Sequence, residues 1–514
     1  MLFLISAIME KLNKNQTKNT IMADFMNKDN LGKLFFALSI IFLVYLLVTP
    51  LNHLMCQIDE YFTRTVLLLP LSDIITVTAH DVHPPLFYVM GKIVIELSKI
   101  FGIDYFFSLK LLSILAYVLV LIVSFTKIRK DYGWLTAGIF VFALAMMNEY
   151  SRYCLIGRMY TWAVLFILLA FLSFREIIIG EGNRKSWILL ALFSTLAAYT
   201  HYFAAITAIC IYLGLLIYIV MNRKSELKNW IISSIAVIVL YLPWLPIFIN
   251  QSMQVKESFW ITDVTLEKAI LFFGYYGFNG TILMGLISIL FLVAFIIIFK
   301  KESKIFDKKE KFIISSGFGV YLGTIALGII ISVLFTPIMD ARYIMPAAGV
   351  LWLTLSIVLG RIEDKKLFFI SLALILLLIA SGIGNTIYTY EKDYHNGIIQ
   401  KEYFDNITQD DNSVLIVPTR KDICYFLSYS NETDMYCLNA SDVFGVEMDR
   451  LHESYDFKNL NLEEIDGFIA NNTDKNIYVA YWDEPDINSP LEIMDQEVLL
   501  YFTKVDMEKL NSTF

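Results

Sequence analysis

Long apolar runs recur along the first three-quarters of the chain, with short polar stretches between them. The hydrocarbon core of a membrane is about 30 Å thick, so each crossing helix needs roughly 20 mostly apolar residues. Eleven runs approach this length, near residues 33–52, 105–127, 132–148, 161–179, 186–200, 203–221, 230–249, 281–299, 312–335, 344–360 and 367–386. The pattern predicts an all-α polytopic membrane protein with about eleven transmembrane helices.

Lysine and arginine are concentrated in every second loop between these runs. The charged loops contain Lys127, Arg129 and Lys130; Arg175, Arg184 and Lys185; Arg223, Lys224 and Lys228; Lys300, Lys301, Lys304, Lys308, Lys309 and Lys311; and Arg361, Lys365 and Lys366. Loops of this kind face the cytoplasm by the positive-inside rule. With eleven crossings, the N-terminal segment 1–32 is then cytoplasmic and everything after residue 386 lies outside.

Residues 84–101 are apolar enough to suggest a twelfth crossing. If they crossed, the loop at Lys127 would face outward, against the charge rule. Their charged residues Lys92, Glu96 and Lys99 have the spacing i, i+4 and i+7, which places them on one face of a helix with apolar residues opposite. We therefore predict a helix that lies in the outer membrane interface, within the first outer loop.

Residues 387–514 differ in character from the rest of the chain. Apolar runs become short, and Asp, Asn, Glu and Tyr dominate. Strand-like runs such as Ser413–Val417 and Ile477–Tyr481 alternate with polar, more helix-like stretches. The pattern predicts a small soluble α/β domain, which follows a transmembrane domain at 33–386.

Composition agrees with a membrane protein. Of the 514 residues, 57% are hydrophobic and 18% are charged, and the mean hydropathy is +0.60. The formal net charge of −8 argues against nucleic acid as a partner. The five cysteines include no CxxC pair, so a zinc ribbon or a redox motif has no support.

The predicted outer loops hold most of the unusual polar residues. These are Asp59 and Glu60 in IDEYFTRT; His80, Asp81 and His83 in AHDVHPPLFY; Arg152, Arg158 and Tyr160 in NEYSRYCLIGRMYT; His201 and Tyr202 in YTHYFA; and Arg342 and Tyr343 in MDARY. Ionisable groups at a membrane boundary are costly unless they are solvated or paired. Their concentration on one side predicts a shared polar cavity, although water-exposed loops would explain some of them equally well.

Carboxylates at the mouth of an apolar cavity can act as general bases. Asp59 and Glu60 are the candidates for this catalytic role, with Asp81 about 20 residues further on; two acids in a solvated loop are the plain alternative. The double proline after His83 restricts the backbone there and so the direction of nearby side chains. A divalent cation such as Mg²⁺ or Mn²⁺ held by Asp59, Asp81 and His83 is a further possibility, beside histidines that bind acceptor or phosphate or that anchor the interface.

Three arginines of the outer loops, Arg152, Arg158 and Arg342, are candidates for binding phosphate. A guanidinium forms planar, charge-assisted hydrogen bonds to phosphate oxygens and stabilises a departing phosphate. They could instead pair with Glu149 or Asp340, or extend to lipid headgroups.

The order of these motifs resembles that of the GT-C fold glycosyltransferases. The similar group contains the dolichyl-phosphate-mannose protein mannosyltransferases, the lipid A aminoarabinose transferases and related "family 39-like" enzymes. The resemblance covers roughly residues 33–360, and its specific part is the acidic pair Asp59–Glu60 followed by HPPL at 83–86. Interfacial helices in the first outer loop are also a feature of this group. The resemblance does not extend to the C-terminal domain.

The resemblance implies a lipid-linked donor, a polyprenyl- or dolichyl-phosphate sugar, and an acceptor protein, lipid or glycan. It implies transfer with inversion at the outer face of the cytoplasmic membrane, with Asp59 as the catalytic base and with His83, Pro84 and Pro85 near donor and acceptor. Phosphate is already a good leaving group, so no cofactor is required, although a divalent metal remains open.

Two other functions are compatible with parts of the pattern. A transporter or lipid flippase would use the outer charges to line a substrate path, but it predicts helices broken by Gly or Pro and charges near mid-membrane. A non-catalytic membrane scaffold would use residues 387–514 as its working part. The charges here lie near the ends of the predicted spans, which favours a transferase over a transporter.

Overall fold

The computed structural model describes residues 27–48, 58–103, 105–180, 183–257, 261–277, 281–408, 412–417, 434–438, 442–443, 446–447, 458–461, 464–472, 474–481, 492–493 and 501–504. Within these ranges the chain is mainly helical. The helices are α1 Lys28–Val48, α2 Ile58–Leu68, α3 Leu71–His80, α4 Leu86–Phe101, α5 Tyr105–Val123, α6 Arg129–Met146, α7 Asn148–Cys154, α8 Tyr160–Ile179, α9 Arg184–Thr200, α10 Tyr202–Asn222, α11 Leu227–Tyr241, α12 Leu245–Glu257, α13 Leu266–Gly274, α14 Ile282–Lys301, α15 Lys308–Leu334, α16 Met345–Arg361, α17 Lys365–Thr408 and α18 Ile465–Asn471.

Eight helices of the described part are long and apolar enough to cross a membrane, and nine if the bent pair α11–α12 forms one span. The two helices of that pair meet at 71°. The protein is thus a multi-pass membrane protein. Helix α4, which covers most of the predicted interfacial segment, has 16 residues and is not among these spans.

One of the eight, Phe107–Met146, is 40 residues long and folds back on itself. Ser124 Oγ donates a hydrogen bond to the carbonyl oxygen of Ala137 at 3.0 Å. In a straight helix these residues would lie about 20 Å apart along the axis. The reversal occurs at Gly133, whose φ of 87° is accessible to glycine with little strain. The predicted runs 105–127 and 132–148 are therefore two antiparallel segments.

Helices α8 and α16 form the centre of the bundle. In their apolar windows 83% and 94% of the residues are buried, against 28% in α1. A helix that is apolar on all sides is stable in this central position because neighbouring helices cover every face. Helix α1 packs at the edge against α6, where a Cβ on Gly138 would overlap the carbonyl oxygen of Gly32.

The five lysine- and arginine-rich loops converge at one end of the bundle. Lys127 Nζ lies 2.6 Å from Glu176 Oε1, and Arg223 donates to the carbonyl oxygen of Ile177 at 3.1 Å. Lys309 donates to the carbonyl oxygen of Ile179 at 3.2 Å, while Arg361 pairs with Glu310 at 2.8 Å. These contacts agree with the alternation of loops that the charge pattern predicts.

Helix α17 has 44 residues and is about 66 Å long at 1.5 Å per residue. It continues through the predicted boundary between residues 386 and 387. Beyond it, the strands are β1 Ser413–Val417, β2 Asp434–Leu438, β3 Asp442–Val443, β4 Val446–Glu447, β5 Lys458–Leu460, β6 Asn476–Tyr481, β7 Glu492–Ile493 and β8 Tyr501–Lys504.

Six of these strands form one sheet in the order β5-β2-β1-β6-β8-β7. Strands β5, β2, β1 and β6 are parallel, with Leu415 opposite both Met435 and Tyr478, and β8 pairs antiparallel with β6. The residues of β1 are buried, as expected for an apolar strand covered on both faces. The predicted strands Ser413–Val417 and Ile477–Tyr481 are thus neighbours in the sheet.

Candidate active site

Asp59 lies at the start of α2, beside an arginine that is distant in the sequence, Arg342. Arg342 Nη1 donates to Asp59 Oδ2 at 2.9 Å and to the hydroxyl oxygen of Tyr153 at 3.2 Å. The side chain of Asp59 is 32% exposed and that of Arg342 is 22% exposed. The carboxylate is therefore paired but still open to a ligand.

A second arginine, Arg158, contacts the backbone of Asp59 from the protein interior and is only 2% exposed. Its Nη1 donates to the backbone oxygen of Asp59 at 3.2 Å, to Thr63 Oγ1 at 2.7 Å and to the Tyr88 hydroxyl at 3.2 Å. Its Nη2 lies 3.4 Å from His83 Nε2. This buried guanidinium has several hydrogen-bond partners and connects α2, α4 and the HPPL segment. It therefore holds these three parts of the site together.

The histidine of the HPPL segment is oriented by an acid two residues earlier. His83 Nδ1 lies 2.9 Å from Asp81 Oδ2. Arginine can only donate, so in a neutral ring Nε2 would be the acceptor from Arg158 and the ring proton would be on Nδ1, where it is donated to Asp81. Pro84 and Pro85 follow directly and are buried, so the backbone at His83 has little freedom. Asp81, His83 and Arg158 thus form one hydrogen-bonded chain that ends under Asp59.

Glu60 lies next to Asp59 in the sequence but faces another direction. Its side chain is fully buried, and Oε1 accepts a hydrogen bond from the backbone N–H of Gly157 at 3.0 Å. Ser113 from α5 holds the same irregular loop by donating to the carbonyl oxygen of Ile156 at 2.7 Å. Glu60 therefore supports the loop that carries Arg158, whereas Asp59, its neighbour in the predicted catalytic pair, meets Arg342.

Arg342 is surrounded by further groups of the site. Asp340 Oδ1 accepts from the backbone N–H of Arg342 at 3.0 Å and lies 3.5 Å from its Nε. The guanidinium carbon is 5.9 Å from the ring centre of Tyr160 and 5.7 Å from that of Tyr343. An arginine between carboxylates and aromatic rings has a restricted orientation.

His201 caps the start of α10 and is buried. Its Nδ1 accepts from the backbone N–H of Phe203 at 3.1 Å, so the neutral ring has its proton on Nε2. Burial, with smaller effects from His83, Arg342 and Arg158, holds the pKa of His201 well below its usual value. Its ring centre lies 5.9 Å from that of His83 and 4.8 Å from that of Tyr343. The ring is thus a neutral hydrogen-bond donor at neutral pH.

The charge state of Asp59 follows from its neighbours. Burial alone would raise its pKa, but Arg158 and then Arg342 and His83 outweigh this effect and lower it. The carboxyl group is therefore ionised at neutral pH.

An apolar cavity of about 1080 Å³ begins beside these residues and continues along helices α9 to α12. His83, His201 and Tyr343 lie at its polar part, together with Tyr202 and Gln251. Tyr202 donates to Gln251 Oε1, and Gln251 Nε2 donates to the carbonyl oxygen of Thr78 at 2.8 Å. This bridge joins α12 to α3 across the cavity wall.

Two predicted site residues lie apart from the central contacts. His80 is exposed at the end of α3, where its Nδ1 lies 2.9 Å from the carbonyl oxygen of Thr76. Arg152 is half-buried on α7, next to Tyr153, which contacts Arg342. Asp59, Asp81, His83, Arg158, Tyr160, His201, Arg342 and Tyr343 form the connected cluster.

Within the described ranges, no three His, Cys, Asp or Glu side chains are placed to hold a metal ion together. The set Asp59, Asp81 and His83 therefore does not converge on a cation, since a guanidinium lies among these groups. Several contributors were not apparent from the sequence. Thr63, Tyr88 and Tyr153 contact the cluster from helices, and Gln251 contacts Tyr202 in the cavity wall. Nothing in their local sequence distinguishes them from ordinary helix residues.

No protein-family model matches the chain, and no curated protein matches it. Solved structures do match. The structure of ArnT from Cupriavidus metallidurans bound to undecaprenyl phosphate has a TM-score of 0.55 at 11% identity, with 93% of this chain and 98% of that chain covered. Its apo state gives a TM-score of 0.56 at 11% identity, with 92% and 98% covered. The oligosaccharyltransferase AglB from Archaeoglobus fulgidus gives 0.44 at 11% identity, with 88% and 70% covered.

The protein is thus a polytopic membrane protein with the GT-C fold. The fold is shared with ArnT, an aminoarabinose transferase, over nearly the full length of both chains. The resemblance that the motifs indicated is confirmed at the level of the fold.

Proposed function

We propose that this protein is an inverting glycosyltransferase that moves a sugar from a polyprenyl- or dolichyl-phosphate donor to a hydroxyl acceptor. The observation that carries the proposal is the position of Asp59. This partly exposed carboxylate is paired with Arg342 and belongs to the cluster whose members His83, His201 and Tyr343 line an apolar cavity. General base, phosphate-binding groups and a lipid-sized space are thus adjacent.

The reaction is a single displacement. The acceptor oxygen forms a bond to the anomeric carbon of the sugar as its proton passes to Asp59. The bond between that carbon and the phosphate oxygen breaks, and its electron pair stays on the phosphate, which leaves on the lipid. Arg342 and the Nε2–H of His201 stabilise the negative charge of the leaving phosphate. Transfer from the face opposite the phosphate inverts the anomeric centre.

The cavity suits the apolar tail of such a donor. Its walls come mainly from aliphatic and aromatic side chains of α9, α10, α11 and α12, among them Ala205, Ile209 and Val237. An isoprenoid chain has no hydrogen-bonding groups, so burial among such side chains is favourable. ArnT, which shares the fold, binds undecaprenyl phosphate.

We place the site and the C-terminal sheet at the outer face of the cytoplasmic membrane. The positively charged loops gather at the other end of the bundle, and such loops face the cytoplasm. We infer eleven crossings, a number that would agree with this placement. The folded-back pair in 107–146, the 17-residue helix α9 and the bent pair α11–α12 would add to the eight helices counted above.

The reaction as proposed needs no bound metal. Arg342 and His201 supply the positive charge and the hydrogen bond that a divalent cation would otherwise provide to the phosphate. The acceptor is a protein, lipid or glycan hydroxyl.

The test compares membranes that express wild-type protein or Asp59→Asn, each supplied with a panel of labelled polyprenyl-phosphate sugars. We expect one sugar to be incorporated by the wild type and at least about 100-fold more slowly by Asp59→Asn, since a positioned base contributes 10² to 10⁴ in rate. Asp263→Asn, an exposed acid in the α12–α13 loop, is the matched control. Equal incorporation by Asp59→Asn and the control would contradict the proposal.

A further inference from the structure

Arg342, which is proposed to stabilise the donor's phosphate, already has an anionic partner. Its Nη1 donates to Asp59 Oδ2 at 2.9 Å, and Asp340 Oδ1 lies 3.5 Å from its Nε. The group proposed as the catalytic base and the group proposed to bind phosphate are thus bound to each other.

The other arginine of the cluster is not available for this role. Arg158 is 2% exposed, and its Nη1 and Nη2 atoms contact Asp59, Thr63, Tyr88 and His83. A new ligand would have to break these buried hydrogen bonds, each of which is costly to leave unmade. Arg342 is 22% exposed and adjoins Tyr343 of the cavity wall, so an incoming phosphate can contact it.

We propose that the donor's phosphate displaces Asp59 from Arg342, so that the carboxylate is released for the acceptor hydroxyl only when donor is bound. This inference rests on the proposed function and adds an order to it: donor binds first. A phosphate offers a guanidinium several charged oxygens, and the two form charge-assisted, often bidentate, hydrogen bonds. The exchange therefore conserves the pairing of Arg342.

The exchange has a consequence for the base. With its guanidinium partner neutralised by phosphate, Asp59 loses one of the positive charges that keep its pKa low. A carboxylate with a higher pKa is a stronger base, so the acceptor proton is taken more readily in the donor complex. Without donor, the base is held in its ion pair.

Binding of undecaprenyl phosphate tests the inference, because the two possible roles of Asp59, competing with phosphate or orienting Arg342, predict opposite changes in affinity for Asp59→Asn. The full-length protein in nanodiscs is titrated with this lipid, and with the uncharged polyprenol as a control for the tail. If Asp59 competes with phosphate, Asp59→Asn binds the lipid phosphate at least about threefold more tightly than wild type, the scale of a partly exposed ion pair. If Asp59 instead orients Arg342 for phosphate, Asp59→Asn binds more weakly.

Asp340→Asn is the matched control for charge. It removes a second carboxylate near the same guanidinium, and asparagine still caps the turn that begins at this position. Tighter binding by Asp59→Asn than by both wild type and Asp340→Asn supports direct exchange. Equal gains in the two variants, or weaker binding by Asp59→Asn, overturn it and leave the proposed transfer reaction intact. Wild-type binding that does not distinguish the lipid phosphate from polyprenol overturns both the exchange and the proposed donor.

Discussion

Asp59 Oδ2 and Arg342 Nη1 lie 2.9 Å apart, although 283 positions of the chain separate the two residues. The pair joins the start of α2 to the turn before α16, the central helix of the bundle. Both side chains are partly exposed, so the pair contributes little to stability, in the range of about 0–1 kcal/mol for such ion pairs. Its position beside the cavity gives it importance for function.

Arg342 influences the pH dependence expected for the reaction. Arg342→Gln removes one of the charges that lower the pKa of Asp59, so that pKa rises. The base is active when ionised, and the loss of kcat/KM on the acid side therefore begins at a higher pH in Arg342→Gln than in wild type. Measurement of kcat/KM against pH in detergent, with Arg342→Lys as the charge-retaining control, checks the shift. An unchanged acid limb in Arg342→Gln would contradict the assignment of Asp59 as the base.

A second prediction separates Glu60 from Asp59. Glu60→Gln keeps an oxygen that can accept from the Gly157 N–H, whereas Glu60→Ala leaves that buried N–H without a partner at a cost of about 1–3 kcal/mol. We expect Glu60→Ala to lower the thermal unfolding temperature and kcat together, and Glu60→Gln to be much less impaired than Asp59→Asn. A Glu60→Gln variant as inactive as Asp59→Asn would instead support a catalytic Glu60.

His201 allows its two nitrogens to be tested separately. His201→Asn keeps a side chain suited to capping α10 but lacks the Nε2–H that is proposed to stabilise the phosphate. We expect near-normal thermal stability and reduced kcat for His201→Asn. His201→Ala loses the cap as well and should be less stable by about 1 kcal/mol. Equal kcat in His201→Asn and wild type would remove the imidazole from the proposed phosphate-stabilising groups.

The cavity can be filled without touching the polar residues. Ala205→Trp adds a large side chain to the cavity wall, so we expect a higher KM for the lipid donor. The thermal unfolding temperature of the protein should change little. Ile217→Trp, on the same helix but exposed outside the cavity lining, is the control. A raised donor KM in both variants would mean that the cavity is not the site of the lipid tail.

The contact of α1 with α6 provides a prediction for stability. A Cβ on Gly138 would overlap the carbonyl oxygen of Gly32, so Gly138→Val forces the two helices apart. We expect destabilisation of about 1–3 kcal/mol, the usual cost of overpacking, measured as a lower unfolding temperature in detergent. Gly384→Val, where the added Cβ meets no atom within 4 Å, is the control and should be close to wild type.

Several parts of the site follow from the sequence. The outer-loop motifs contain the residues that meet in the cluster, among them Asp59, His83, Arg158, His201 and Arg342. The role of each residue could not be predicted from its local sequence. Adjacent helix positions differ by about 100° in direction, in agreement with the different partners of Asp59, which meets Arg342, and Glu60, which meets Gly157. Arg158 follows an irregular turn at Gly157, where no periodic pattern indicates burial.

The chain by itself determined the order of membrane segments and the side on which charges gather, because both depend on local properties: the length of an apolar run and the residues that end it. Tertiary packing alone decided which arginine is enclosed and which can meet a ligand. It also decided that Glu60 supports a loop and that helices α9 to α12 leave an apolar cavity. Those outcomes depend on contacts between distant segments, such as Arg158 with Thr63 at 95 positions and Arg342 with Asp59 at 283 positions, which no local pattern specifies.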